Sequence, residues 1–246
     1  MATTEEARAR ELVAAQEKAE ALYRIGSMYL AQKKPELAVP YFQRIYVMHG
    51  RWRDWVARAY LRSGEAFEKL ADAYYEQALA LIESGVDALL LETSQDALNV
   101  KAGGIGIMRA FEKAGRKLPI MISGTIEPMG TTLAGQTIES FYISLEHLKP
   151  ISIGLNCATG PEFMRDHIRT LASISQAAIS CYPNAGLPDE NGHYHESPES
   201  LATKLAGFAE QGWINIAGGC CGTTPTHIRA IAEKLKGYKP RTSFGE

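Results

Sequence analysis

Four cysteines occur in the chain, and three of them are placed where they could do chemistry: Cys157, Cys220 and Cys221, with Cys181 the fourth. Adjacent Cys220 and Cys221 cannot readily bond to each other, because the ring they would close is short and strained. Cys157 lies 63 residues before Cys220, so three sulfurs meet only if the fold brings them together. This is not the local C-x-x-C spacing of a structural zinc finger. Three thiolates around Zn²⁺ leave the fourth tetrahedral position open to a substrate or weak ligand, the arrangement of a catalytic site. A thiol arriving there would lose its proton near neutral pH. The competing reading is a core role, since cysteine is among the most buried residue types. The flanking segments favour a metal, because the glycines of Gly154-Leu155-Asn156-Cys157 and Gly218-Gly219-Cys220-Cys221-Gly222 permit tight turns around one. Thr224-Pro225 then reads as a helix start with proline in its first turn.

The elements that must position these residues follow from periodicity. After Gly85 short apolar runs alternate with amphipathic helical segments, and strands are expected at 87–93, 119–126, 151–157, 177–182 and 213–218. Their starts recur at intervals of 26 to 36 residues, the rhythm of βα units, whose right-handed crossovers produce a parallel sheet. All strands of such a sheet end on one rim, where loops converge to form sites. Here the strand ends carry Glu92-Thr93, Gly124-Thr125, Asn156-Cys157, Pro183-Asn184 and Gly219-Cys220-Cys221.

Residues 1 to about 84 carry no strand signal and should be helical. A helix over 21–32 with Leu22, Ile25, Gly26 and Tyr29 on one face is broken by Lys33-Lys34-Pro35, and a second carries Ala38, Phe42 and Ile45. This hairpin resembles a tetratricopeptide repeat, with a partial second copy from Tyr60 in which Gly64 and Phe67 echo Gly26 and Tyr29. One and a half repeats do not bury a continuous core, so the segment should lean on the rest of the chain or on a protein partner.

Composition excludes several classes. The chain has 246 residues, 46% hydrophobic and 22% charged, with 26 Lys plus Arg against 28 Asp plus Glu, so there is no basic excess for nucleic acid. No apolar run approaches the roughly 20 residues of a membrane helix, and no secretory leader is visible, so a cytoplasmic location is expected.

From about residue 71 to 241 the sequence resembles the zinc-dependent homocysteine S-methyltransferases, most closely the homocysteine-binding module of cobalamin-dependent methionine synthase. The resemblance rests on Leu91-Glu92-Thr93, Met121-Ile122-Ser123-Gly124-Thr125-Ile126, Thr132-Leu133-Ala134-Gly135-Gln136, Gly154-Leu155-Asn156-Cys157, Tyr182-Pro183-Asn184-Ala185-Gly186-Leu187-Pro188 and the Cys-Cys turn. It implies an α/β fold, a (β/α)₈ barrel of which the last five βα units are present here. It further implies zinc held by Cys157, Cys220 and Cys221, Glu92 holding the homocysteine amino group, and Asn184 as a resting-state fourth ligand. Pro-Asn-Ala-Gly is also good turn chemistry, and Asn156 reads first as structural, with orientation of the ligand loop as the alternative. Cys181 should be a core residue, His193 and His195 an exposed loop, and His227 part of a helix face. Gly103, Gly104 and Gly106 cast doubt on the helix around them.

These readings divide the chain into a helical, tetratricopeptide-like segment at 1–70, a partial barrel at 71–241 and a tail at 242–246. The resemblance also implies three earlier βα units, the first with an Asp-Gly segment that helps seat homocysteine, and residues 1–70 have no counterpart. Nor is there a folate or cobalamin module, so methylcobalamin would come from another polypeptide. The expected function is zinc-dependent activation of homocysteine for methyl transfer to give methionine. The alternative is a non-catalytic helical-repeat interaction protein carrying a zinc-binding half-barrel remnant.

Overall fold

The computed structural model describes residues 4–242, so most of the expected tail at 242–246 lies outside the described residues. Compactness divides the chain into two units, one of residues 1–80 with 102–113 and the other of residues 81–101 with 114–246. Among the described residues no helix is long and apolar enough to cross a membrane.

The first unit is helical. Helix α1 spans Thr4–Ala31, α2 spans Pro35–Met48 and α3 spans Arg53–Glu83, its last turn belonging to the second unit. Pro35 opens α2, where its missing N–H costs nothing. Ala19, Leu30, Ala38, Val39, Phe42, Ile45, Ala59, Ala66 and Leu70 form the buried cluster, with Tyr23 tilted against both Phe42 and Trp55. The close helix approach expected of a repeat is present at Gly26, where an added Cβ would stand 2.7 Å from the Phe42 ring. It is absent at Gly64, where nothing lies within 4 Å of such a Cβ, and Tyr60, Gly64 and Phe67 all sit inside the unbroken α3.

Helix α4, Ala97–Ala114, runs unbroken through Gly103, Gly104 and Gly106. A Cβ at Gly106 would fall 2.4 Å from the Ala71 carbonyl oxygen and 2.7 Å from the Tyr75 nitrogen. The helix-weakening glycine is therefore required by the approach of α4 to the backbone of α3 within this unit. Arg109 ties the same two helices together through Glu68 at 2.8 Å and Asp72 at 3.1 Å, exposed pairs worth little by themselves.

The second unit is built on one five-stranded parallel sheet in the order β1-β2-β3-β4-β5. The strands are β1 Leu89–Ser94, β2 Ile120–Gly124, β3 Ser152–Asn156, β4 Ala178–Tyr182 and β5 Ile216–Ala217. Each falls inside its expected run or within a residue of it. On one face Ile122, Ile153, Leu155 and Ile179 are wholly buried, each contributing roughly 1.5–3 kcal/mol by leaving water. The helices that follow β2 to β5, α5 Ile138–Leu145, α6 Pro161–Ile174, α7 Pro198–Glu210 and α8 Pro225–Leu235, bury Phe141, Leu145, Ile168, Leu171, Leu201, Leu205 and Ile231. Cys181 belongs to this core: it is fully buried, its sulfur lies 3.9 Å from that of Met164, and burial pushes its thiol up to about 12. Arg241 closes the far side of the unit, donating to the carbonyls of Ala172, Ser175 and Ala177.

The two helix glycines give opposite expectations for unfolding in denaturant. Gly106→Ala should destabilise the protein by about 1–3 kcal/mol through overpacking against backbone. Gly64→Ala, open to solvent, should stabilise it by up to about 1 kcal/mol through helix propensity. Equal effects from the two would contradict the close approach of α4 to α3.

Candidate metal and thiol site

Every strand of the second unit ends on the same rim, and the site is assembled from the ends of all five. Parallel pairing sets Asn156, the last residue of β3, beside Tyr182, the last of β4, while Cys181 pairs with Ala217 of β5. The residues that follow β3 and β5 therefore emerge side by side. Cys157 comes immediately after β3, and Cys220 and Cys221 come three and four residues after β5.

The three thiols lie within 4.8 Å of one another, with 3.7 Å between Cys157 and Cys221 Sγ and 3.9 Å between Cys220 and Cys221 Sγ. Tetrahedral zinc with Zn–S bonds of about 2.3 Å separates its sulfurs by about 3.8 Å, so the donor set fits the metal in kind and spacing. Cys157 and Cys220 are half-buried and Cys221 is exposed. Burial pushes the Cys220 thiol up to about 11, reinforced by the other two thiols and opposed by the Asn156 amide.

Backbone strain and a dense set of hydrogen bonds hold this arrangement. Cys157 and Ala158 both sit in the left-handed region, at φ 63° and 58°, a conformation that costs non-glycine residues of order 1–3 kcal/mol each. It turns the chain sharply off β3. The Cys157 N–H donates to Tyr182 O at 3.2 Å and the Thr159 N–H to Cys157 O at 2.7 Å. The loop after β4 serves both cysteine segments: Cys220 N–H donates to Pro183 O, Ala185 N–H to Cys221 O, and Asn184 N–H to Thr159 O. Asn184 is buried and its Oδ1 accepts the Cys221 N–H at 3.1 Å, so its carboxamide shapes the turn that presents Cys221 and keeps one lone pair.

Asn156 is the buried centre of the rim. Its Oδ1 accepts from the Thr93 N–H at 3.0 Å and the Ser123 hydroxyl at 2.7 Å, and its Nδ2 donates to Thr93 Oγ1 at 2.8 Å and Cys220 Sγ at 3.8 Å. Its backbone oxygen accepts from Thr125 Oγ1 at 3.1 Å. All four hydrogen-bonding capacities of the carboxamide are used. Sequence reasoning gave Asn156 a mainly structural role, and nothing in its spacing signals a residue that bonds three strand ends at once.

Glu92 is exposed near the carboxyl end of β1. The β1–β2 register slips between Leu91 and Ser94, and Thr93 within that irregularity has φ 55°, the kind of bulge that re-aims side chains beside sites. Burial pushes the Tyr182 phenol up, and the charge of Glu92 adds to the shift.

The loop before α7 also belongs to the site. His193 and His195 are exposed, as expected, and His195 Nε2 bonds Asp189 Oδ2 at 2.7 Å. Asp189 is held below the usual carboxylate range, chiefly by His195. Tyr194, between the histidines, lies against Gly222: a Cβ there would come within 2.3 Å of its ring, and Gly222 has φ 78°. Burial and the neighbouring cysteine thiols push the Tyr194 phenol up. His227 is buried rather than merely on a helix face. It completes a capping box with Thr224 at the start of α8 and bonds Glu196 O at 2.9 Å. The sequence signal available was a side chain three residues after an N-cap threonine, the capping-box offset usually filled by Glu or Gln.

Comparison with known proteins gives one family. The homocysteine S-methyltransferase family profile matches residues 2–235, taking in the helical residues before 71 as well as the sheet. Among solved structures, the oxidised form of the homocysteine methyltransferase MmuM from Escherichia coli is similar at 20% identity and a TM-score of 0.52, over 67% of this chain and 52% of that one. The chain thus spans about half of that protein's length. The apo form of the same protein is similar at 18% identity and a TM-score of 0.50, over 75% of each chain. At these identities the likeness concerns the fold.

The thiols should separate by reactivity toward an aromatic disulfide reagent at pH 8 in chelator-treated protein. Cys157 and Cys221 should react first, Cys220 more slowly, and Cys181 only after unfolding. Modification of Cys181 in the native protein would contradict its place in the core.

Proposed function

Because the chain belongs to the homocysteine S-methyltransferase family, we propose that its three-thiol cradle binds zinc and activates homocysteine for methyl transfer to give methionine. The observation that carries this reading is the meeting of Cys157, Cys220 and Cys221 from two strand ends at sulfur separations of 3.7 and 3.9 Å. Zinc held by three thiolates would supply an open Lewis-acid position that keeps an incoming thiol ionised near neutral pH.

The chain's own residues do the rest. Cys157, Cys220 and Cys221 hold the metal, and Asn184 sets the turn that presents Cys221, its remaining lone pair suiting it to the fourth position when substrate is absent. Glu92 accepts the substrate ammonium, orienting the homocysteine sulfur. That sulfur, its proton lost to solvent, forms a bond to the donor's methyl carbon. The bond from methyl to donor breaks with its electron pair staying on the donor. The donor in this reading is methylcobalamin carried on a separate polypeptide. Tight positioning of the thiolate removes the entropic cost of a two-body encounter.

A second reading takes the chain as a non-catalytic interaction protein with a zinc-binding remnant. It is favoured by the five strands among the described residues, where the resemblance implies eight for the barrel, and by the exposed Val47, Met48, Tyr60 and Leu61 on the helical unit.

Metal analysis and calorimetric titration of homocysteine separate the two. The catalytic reading expects one zinc per chain, with saturable homocysteine binding to the zinc-loaded form. Cys157→Ser, Cys220→Ser and Cys221→Ser should each lose most of the zinc, and Glu92→Gln should keep zinc while weakening homocysteine by about tenfold, near 1.4 kcal/mol. Zinc without homocysteine binding would favour the second reading, and unchanged zinc in all three serine variants would overturn the cradle.

A further inference from the structure

We propose that Asn156 is a positioning residue that couples the substrate's amino-group anchor to the metal cradle, fixing the distance between Glu92 and the thiols. This rests on the reading of Glu92 given above. One arm of the link is Thr93, the residue after Glu92, held by Asn156 Oδ1 at 3.0 Å and Nδ2 at 2.8 Å. The other arm is the second N–H of Nδ2, directed at the sulfur of Cys220 at 3.8 Å. Glu92 and Cys220 lie on β1 and after β5, the two outermost strands of the sheet, so no direct strand pairing relates them. Their spacing passes through the single side chain on β3 that touches both sides.

The conformation of Thr93 shows why the coupling is needed. A β-branched residue at φ 55° occupies a region that such residues avoid, and it persists only where neighbours over-determine it. The paired bonds from Asn156 to the N–H and hydroxyl of Thr93 supply that constraint. The irregularity they hold lies where the β1–β2 register slips between Leu91 and Ser94, the stretch containing Glu92. The Thr93 N–H fixes which way the carboxamide points, since the reverse orientation would set its NH₂ against that donor, and the Ser123 hydroxyl adds a second donor to the same Oδ1. Without this clasp Thr93 would relax toward extended backbone, and the Glu92 carboxylate would turn away from its place relative to the cradle.

The two arms can be cut separately. Thr93→Val, at an exposed position, keeps shape and branching but removes the acceptor for Nδ2. Asn156→Asp keeps both acceptor bonds and lets the Thr93 hydroxyl donate instead, yet loses the N–H directed at Cys220. The experiment titrates the full-length, zinc-loaded protein with L-homocysteine and with 4-mercaptobutanoate, which is homocysteine without its amino group. Zinc affinity is measured in parallel by competition with a chelator.

The wild-type protein should prefer homocysteine. In Thr93→Val that preference should fall by about tenfold, the effect of one charge-assisted bond, while zinc affinity stays within about twofold. In Asn156→Asp zinc affinity should fall by about tenfold or more, as for other residues that orient ligands, while the preference for the amino group survives. A wild-type protein that binds both thiols equally would overturn the reading of Glu92, and the coupling with it. A wild-type preference that persists in Thr93→Val would overturn the coupling alone. So would parallel loss of zinc and both thiols in each variant, the signature of a merely structural role. Should Asn156→Asp fail to fold, the ratio measured in Thr93→Val decides the matter.

Discussion

The site depends on parallel strand direction. In a sheet built from successive crossovers, residues distant in sequence gather at one edge because every strand points the same way. β4 lies between β3 and β5, and its pairing with both decides how far Cys157 stands from the Cys-Cys turn. The loop after β4 then bonds to both cysteine segments, through Pro183, Asn184 and Ala185. Without the wholly buried Ile153, Leu155 and Ile179 beneath it, this rim would have no fixed geometry to offer a metal or a substrate.

Much of this was legible in the residues. Alternating apolar runs and helical periods placed five strands close to where they occur, because fully buried parallel strands are short, apolar and bounded by glycine or polar residues. The three thiols could be nominated from their flanking glycines and from strand-end placement, and the start of α8 from Thr224-Pro225. The family profile extends this agreement and also covers the helical residues before 71, where the sequence patterns suggested a repeat and no barrel strand.

What was not legible depends on contacts between residues far apart in the chain. The glycines in α4 weakened the expectation of a helix because propensity is local, whereas the reason for Gly106 is a backbone passing from α3. His227 read as one more residue on a helix face, yet it caps α8 and reaches the loop before α7. Asn156 has no sequence signature for its role, since its partners at 93, 123, 125 and 220 come from other segments. Patterns of spacing locate elements; the identity of a hydrogen-bond hub emerges only from their assembly.

The left-handed pair Cys157 and Ala158 has a consequence for how a metal would exchange at the proposed cradle. In a zinc finger the ligands gather only when the ion arrives, so uptake and folding are one event. Here the turn that aims Cys157 is enforced by a sheet core lying below the rim and by the bond from its N–H to Tyr182. The three thiols are therefore brought together by the sheet itself, and the ordering entropy is spent in forming it. Under the proposed function, capture and release of zinc would be events of the rim alone, proceeding at the pace of ligand exchange while the strands beneath stay folded.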